Sequence, residues 1–156
     1  MRNPKSNSKK DLQRGVDFTG VSCVFYCHDG QGKLLLHKRS QNCRDEIGNW
    51  DVGAGALEFG EDLEDAVKRE IKEEYGCEVL NLRLVGPYSL VRQNNNKPTH
   101  WVLIAFAAHI DPSQVRINEP EKMDEIGWFE LDNLPTPLHS GVKYYLPNVK
   151  QYIIPS

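Results

Sequence analysis

The sequence predicts an α+β domain, on two observations. Short runs rich in β-branched and aromatic residues recur before and after the middle of the chain, and between them residues 62–75 read as one amphipathic helix. At 156 residues, 39% hydrophobic and 26% charged, the chain is long enough for one domain with a real core and short for two.

Taken in order, residues 1–15 are polar and basic (Arg2, Lys5, Lys9, Lys10, Arg14) and read as a flexible arm, leaving 16–156 as a single domain. Residues 18–28 read as a strand. Asp29-Gly30-Gln31-Gly32 is turn chemistry, and residues 33–38 return as the second half of a hairpin. Residues 40–49 are loop-like, and Trp50-Asp51-Val52 forms a short strand. After the helix, Gly76 suits a left-handed stop. Residues 78–91 are strand-like, with a bulge or bend at Gly86-Pro87, and 94–97 form a hairpin loop. The most apolar run, WVLIAFAAHI at 101–110, reads as a central strand buried on both faces. Residues 111–122 form an acidic loop with a short strand expected at 115–117, and 125–131 make another strand. Residues 138–153 have helical spacing that Pro147 is expected to interrupt.

Charge and targeting exclude several classes. A net charge of −3 sets up no field that attracts nucleic acid or an anionic membrane, so neither is expected as a partner. No apolar run approaches a membrane span and residues 1–14 lack the apolar centre of a signal peptide, so a cytoplasmic protein is expected. Cys23, Cys27, Cys43 and Cys77 show no paired metal-ligand spacing. They read as reduced thiols, with Cys23 and Cys27 sharing a strand face with Phe25.

The helix carries the chemistry. At about 100° per residue, Leu63, Ala66, Val67 and Ile71 form its apolar stripe. Glu70 and Glu74 fall inside that stripe and Glu73 on its shoulder. Carboxylates aimed at an apolar interior need compensation, because an unpaired buried charge costs several kcal/mol or more. On geometry two readings stay open: a divalent cation held between the glutamates, or a solvated acidic face with Arg69 and Glu73 paired at i, i+4.

The stretch from Gly55 to Cys77 resembles the Nudix box: Gly55, Glu61, Arg69-Glu70, Ile71, Glu73-Glu74 and Gly76 match its fixed positions, and Cys77 stands where Ile, Leu or Val is usual. Buried cysteine behaves as a small hydrophobe, so that departure is mild. The resemblance implies the Nudix fold, a mixed β-sheet sandwiched between helices (an α/β/α sandwich). It also implies metal-dependent hydrolysis of a nucleoside diphosphate linked to another moiety: an NTP or dNTP, ADP-ribose or a nucleotide sugar. Carried over by position, Gly55, Glu61, Glu70, Glu73 and Glu74 would hold Mg²⁺, with Mn²⁺ as substitute, and Arg69 would orient them. Catalytic roles fall on Glu70, Arg69 and Glu73. Glu119, Glu121 and Glu125 are candidates for a downstream base or ligand. Lys38 and Arg39 are weaker candidates for substrate phosphate, and pairing with a second copy stays open. Trp50, Tyr88, Trp101 and Trp128 could stack on a base or serve the core, while His37, His100 and His109 read as structural. Gly53-Ala54-Gly55 replaces the Pro-Gly-Gly common before the box. Trp50-Asp51-Val52 with Gly60-Glu61 is also similar to isopentenyl-diphosphate isomerases, one alternative; a non-catalytic nucleotide-binding regulator is the other.

Overall fold

The computed structural model describes residues 11–155. Its elements run β1 (Gly20–His28), β2 (Lys33–Arg39), β3 (Trp50–Asp51), β4 (Gly53–Ala56), α1 (Leu63–Tyr75), β5 (Val79–Asn94), β6 (Lys97–Ile110), β7 (Met123–Glu130) and α2 (Ser140–Ile153). All seven strands join one mixed sheet along the path β3-β2-β1-β6-β5, with β7 beside β2 and β4 beside β1. β1 and β6 run parallel and the other pairings are antiparallel. The α/β/α sandwich is the observed fold.

Alternation along the strands splits the core in two, because successive side chains leave a strand on opposite faces. Cys23, Phe25 and Cys27 of β1, Leu35 of β2, and Phe106, Ala108 and Ile110 of β6 pack under α1 against Val67, Ile71 and Tyr75. Val24 and Tyr26, Leu34 and Leu36, and Leu103, Ala105 and Ala107 take the other face, under Val142, Tyr145, Leu146 and Val149 of α2. β6 is therefore buried on both sides, and the cysteines are free thiols. Burying each of Val67, Ile71 and Tyr75 contributes roughly 2 kcal/mol of transfer free energy.

Local signals placed several elements. Asp62 caps α1 by accepting from the Glu64 N–H at 2.9 Å, and Gly76 ends the helix at φ 69°. Asn95 and Asn96, at φ 50° and 61°, make the tight turn between β5 and β6. The ladder shifts register between Leu84 and Gly86, which is the bulge expected at Gly86-Pro87.

Two expectations are corrected. No strand forms at 115–117; a 3-10 turn at Pro112–Gln114 leads into a loop that docks on the end of α1. There the Arg116 and Asn118 N–H groups donate to the Tyr75 and Glu74 carbonyls at 3.1 and 3.0 Å. Those helix-end carbonyls lack intrahelical partners, so they compete with any sheet edge for the segment. Nor does Pro147 break α2. Pro147 and Lys143, whose carbonyl loses a donor, both lie on the exposed side, where the oxygen is open to solvent. The buried stripe Val142, Tyr145, Leu146, Val149 and Ile153 holds both halves to the sheet. Of the basic segment, residues 1–10 lie outside those described. Arg14 and Gly15 are joined to the body: Arg14 reaches the Leu57 carbonyl, and Gly15 receives the His100 N–H.

Candidate active site

The site is built where β4 lies under α1. β1 gives its edge to β4 along Ser22–Phe25 and meets β2 only at His28, so Gly53–Ala56 is a strand in its own right. A Cβ on Gly55 would stand 2.0 Å from Glu70 Cδ, and one on Gly53 would stand 2.6 Å from Glu74 Oε2 and 1.9 Å from the Phe25 ring. Four helical residues rise about 6 Å and two strand residues about 6.6 Å. The Glu70–Glu74 spacing therefore matches the Gly53–Gly55 spacing, and each carboxylate lies over one glycine. Only glycine at both positions lets the acids reach this depth.

Arg69 organises the outer part. Its Nε and Nη2 donate to both oxygens of Glu61 at 2.7 and 3.0 Å, while Nη1 donates to Glu70 at 2.7 Å and to Glu73 at 3.3 Å. The Arg69 hydrogen bond holds Glu61 below the usual carboxylate range. Burial pushes Glu70 up, and Arg69 offsets part of that.

Glu74 is different. It is 5% exposed, and its Oε2 is buried with no hydrogen-bond partner. Burial, with Glu70 and Glu119 close by, drives its pKa well above the ordinary value; Lys122 is the cation that opposes them. The docked loop supplies Glu119 and Lys122. Lys122 Nζ lies 2.9 Å from the buried Glu119 Oε2, although outside good hydrogen-bond alignment. Ser22 Oγ donates to the Gly55 carbonyl at 2.8 Å.

A cavity of about 410 Å³ opens beside this cluster. Glu74, Gly55 and Lys122 line it, as do Tyr26, Tyr88, Leu90, Trp101 and Leu103. Tyr26 Oη is fully buried, with only a loose approach to the Tyr88 hydroxyl. All four aromatic candidates pack against one of the two cores, and Tyr88, stacked on Tyr145 at 3.9 Å, and Trp101 also line the cavity.

The cavity's far rim is a second ionic cluster that local sequence patterns do not flag. Arg39 donates to Asp45 at 2.7 Å and to Asp51 at 2.9 Å, and Arg92 reaches Asp45 at 3.3 Å and Glu46 at 3.0 Å. Glu46, at φ 45°, also receives the N–H and hydroxyl of Ser140 at the start of α2, at 2.8 and 2.9 Å. Burial opposes its ionisation, but the Ser140 bonds, His139 and Arg92 outweigh it and hold its pKa low. The Gly141 N–H donates to His139 Nδ1, which puts the imidazole proton on Nε2, 2.7 Å from Glu46. Among the described residues, Asp45, Glu46 and His139 are the trio whose ligand atoms lie within 4.8 Å of one another. Their hydrogen bonds are already met by two arginines and a helix start.

The sequence-derived residues thus separate. Glu61, Arg69, Glu70, Glu73, Glu74, Gly55 and Glu119 come together. Glu121 is exposed and gives its carbonyl to Ser40 and Asn42. Glu125 is exposed and paired with Lys38 at 3.2 Å. The Arg39 guanidinium is committed to Asp45 and Asp51. Lys122 was not singled out, and its spacing from Glu119 is the signal that could have found it.

The NUDIX domain model matches residues 18–149, and the chain belongs to the Nudix family. The NAD-capped RNA hydrolase NudC of Citrobacter koseri is 37% identical over 115 residues, and that of Vibrio vulnificus 33% over 119. These alignments take in 72% and 76% of this chain but only 40% and 42% of the relatives, so the chain spans well under half their length. A MutT NUDIX hydrolase from Burkholderia pseudomallei superposes with TM-score 0.74 at 32% identity, covering 84% of this chain and 98% of the other. The NUDIX domain of Shewanella oneidensis NrtR, complexed with ADP ribose, shares the fold at TM-score 0.68 and 18% identity, covering 94% of each chain.

Proposed function

We propose that this chain is a divalent-metal-dependent pyrophosphohydrolase that cleaves a diphosphate within a small nucleotide-type substrate. The observation that carries the reading is Glu74: a buried carboxylate with an unpartnered oxygen, beside Glu70, on the wall of a nucleotide-sized cavity. Such a group is costly without a cation, and hard oxygen donors suit Mg²⁺ or Mn²⁺. Glu70, Glu73 and Glu74 would hold the ion, with Glu61 and the Gly55 carbonyl beside it. When bound, the cation supplies charge neutralisation at the diphosphate and a more acidic water.

The chain's own groups do the rest. Arg69 would hold Glu61, Glu70 and Glu73 in place relative to one another. Glu70 or Glu119 would take a proton from the attacking water, with Glu121 and Glu125 as weaker candidates because they are exposed and, for Glu125, paired with Lys38. Arg39 would meet phosphate only by leaving Asp45 or Asp51. Tyr88 and Trp101 offer aromatic surface to a base. A cytoplasmic location fits the reduced thiols, and no helix among the described residues is long and apolar enough to cross a membrane.

The test is hydrolysis of a panel with Mg²⁺ and with Mn²⁺: dNTPs, ADP-ribose, nucleotide sugars, dinucleoside polyphosphates, NAD and NAD-capped RNA. The last two enter because of the NudC relatives. Release of a nucleotide from at least one is expected. Absence of turnover throughout, with nucleotide binding retained in metal-free calorimetry, would favour a non-catalytic regulator instead.

A further inference from the structure

We infer that Lys122 is a stand-in cation: it balances the buried glutamates before metal loads and turns to the substrate's phosphates once metal is bound. The inference rests on the proposed hydrolase reading. Its starting point is placement. Arg116 and Asn118 bond to the last carbonyls of α1, and Asn118 Nδ2 donates to the Glu73 carbonyl at 2.9 Å. From the other side, the Ser40 N–H and Cys43 Sγ donate to the Lys122 carbonyl at 3.0 and 3.3 Å. Within the loop, the Lys122 and Met123 N–H groups both donate to the Glu119 carbonyl. The backbone carrying Lys122 is therefore fixed relative to Glu74 from three directions.

Charge supplies the second half. Glu119 is the carboxylate that Lys122 pairs with, and its ammonium is the positive group acting on the otherwise unpartnered Glu74. That ammonium lies 2.9 Å from Glu119 on the wall of the cavity that Glu74 also lines. A divalent ion among the same carboxylates repels it. The side chain is 56% exposed, lines the cavity and has three donors on a flexible stem. The negative charge then within its reach is the substrate's diphosphate. Arg69 cannot serve in this way, because Glu61, Glu70 and Glu73 hold its guanidinium from three sides.

The test uses Lys122→Met, Lys122→Gln and Lys122→Arg in the full chain, with thermal melting to confirm folding. Titrated with Mn²⁺ alone, the two neutral variants should bind about fivefold tighter than wild type, because a competing charge is gone. At saturating metal their KM for the preferred substrate should rise about tenfold with kcat less affected. Lys122→Arg should restore both properties. A lysine that merely braces the loop would weaken metal binding or leave it unchanged, and either result overturns the stand-in role. Unchanged KM overturns the phosphate role. If wild type cleaves no diphosphate, the hydrolase reading fails and the phosphate role with it, while the Mn²⁺ titration still decides the stand-in role.

Discussion

The molecule holds two dense acidic clusters on one cavity, and they are built differently. At the rim, Asp45, Glu46 and Asp51 face Arg39 and Arg92, and Glu46 also caps α2. Under α1, among the described residues, Glu61, Glu70, Glu73, Glu74 and Glu119 face only Arg69 and Lys122, and a buried Glu74 oxygen goes unbonded. At the rim Asp45, Glu46 and His139 have the more compact ligand atoms, yet their hydrogen bonds are already met. Shortage of positive charge at depth, more than the nearness of oxygens, separates a place built to receive a cation from a strut.

The hardest blow to that distinction comes at Glu74. Glu74→Gln should cut kcat by at least about 100-fold, yet raise the melting temperature of the metal-free protein, because a costly buried acid becomes neutral. Mg²⁺ should stabilise wild type and do little for the variant. A variant less stable than metal-free wild type would place Glu74 among the struts.

Gly55→Ala comes next. Its methyl would enter the volume of the Glu70 carboxyl, and the expected cost is about 2–3 kcal/mol, with a matching loss of metal affinity. Calorimetry against Mn²⁺ and denaturant unfolding would read both; wild-type affinity would mean the carboxylate does not need that depth.

His37 lies between the clusters, bonded to the Tyr75 hydroxyl at 2.8 Å, and burial lowers its pKa to about 4. The unfolded chain binds the proton near pH 6.5, so between about pH 6.5 and 4 the unfolded state carries more protons and stability falls with pH. The loss at pH 5 should be about 2 kcal/mol. Denaturant midpoints at pH 7 and 5 should show it, and His37→Gln should flatten the slope.

The smallest effect belongs to the rim. Glu46→Gln removes a charge that is a quarter exposed, so solvent screening leaves a loss of about 1 kcal/mol, with Mn²⁺ affinity untouched. A changed affinity would merge the two clusters into one.

The sequence made the first cluster legible and left the second dark, for a physical reason. Glu61, Arg69, Glu70, Glu73 and Glu74 lie within one loop and helix, where a period of 3.6 fixes who meets whom. Arg39, Asp45, Asp51, Arg92 and His139 come from five separate places, and only the sheet order joins them. The same division holds for the fold. The Gly76 stop and the Asn95–Asn96 turn are local, and each was readable. The parallel β1–β6 pairing is not local, nor is the docking of residues 116–118, which displaced an expected strand. Pro147 is the converse: the local rule predicts a break, and the buried stripe of α2 overrides it.

The bonds from Arg116 and Asn118 to the end of α1 also bear on where this chain can change in length. They divide the segment after β6 into two parts. Ser113 and Gln114 are exposed, so extra residues there should bulge outward at little cost. One residue inserted between 118 and 122 would carry Glu119 and Lys122 out of step with Glu74. The segment has a tolerant half and a metered half, and the boundary between them is the final turn of a helix lying elsewhere in the sequence.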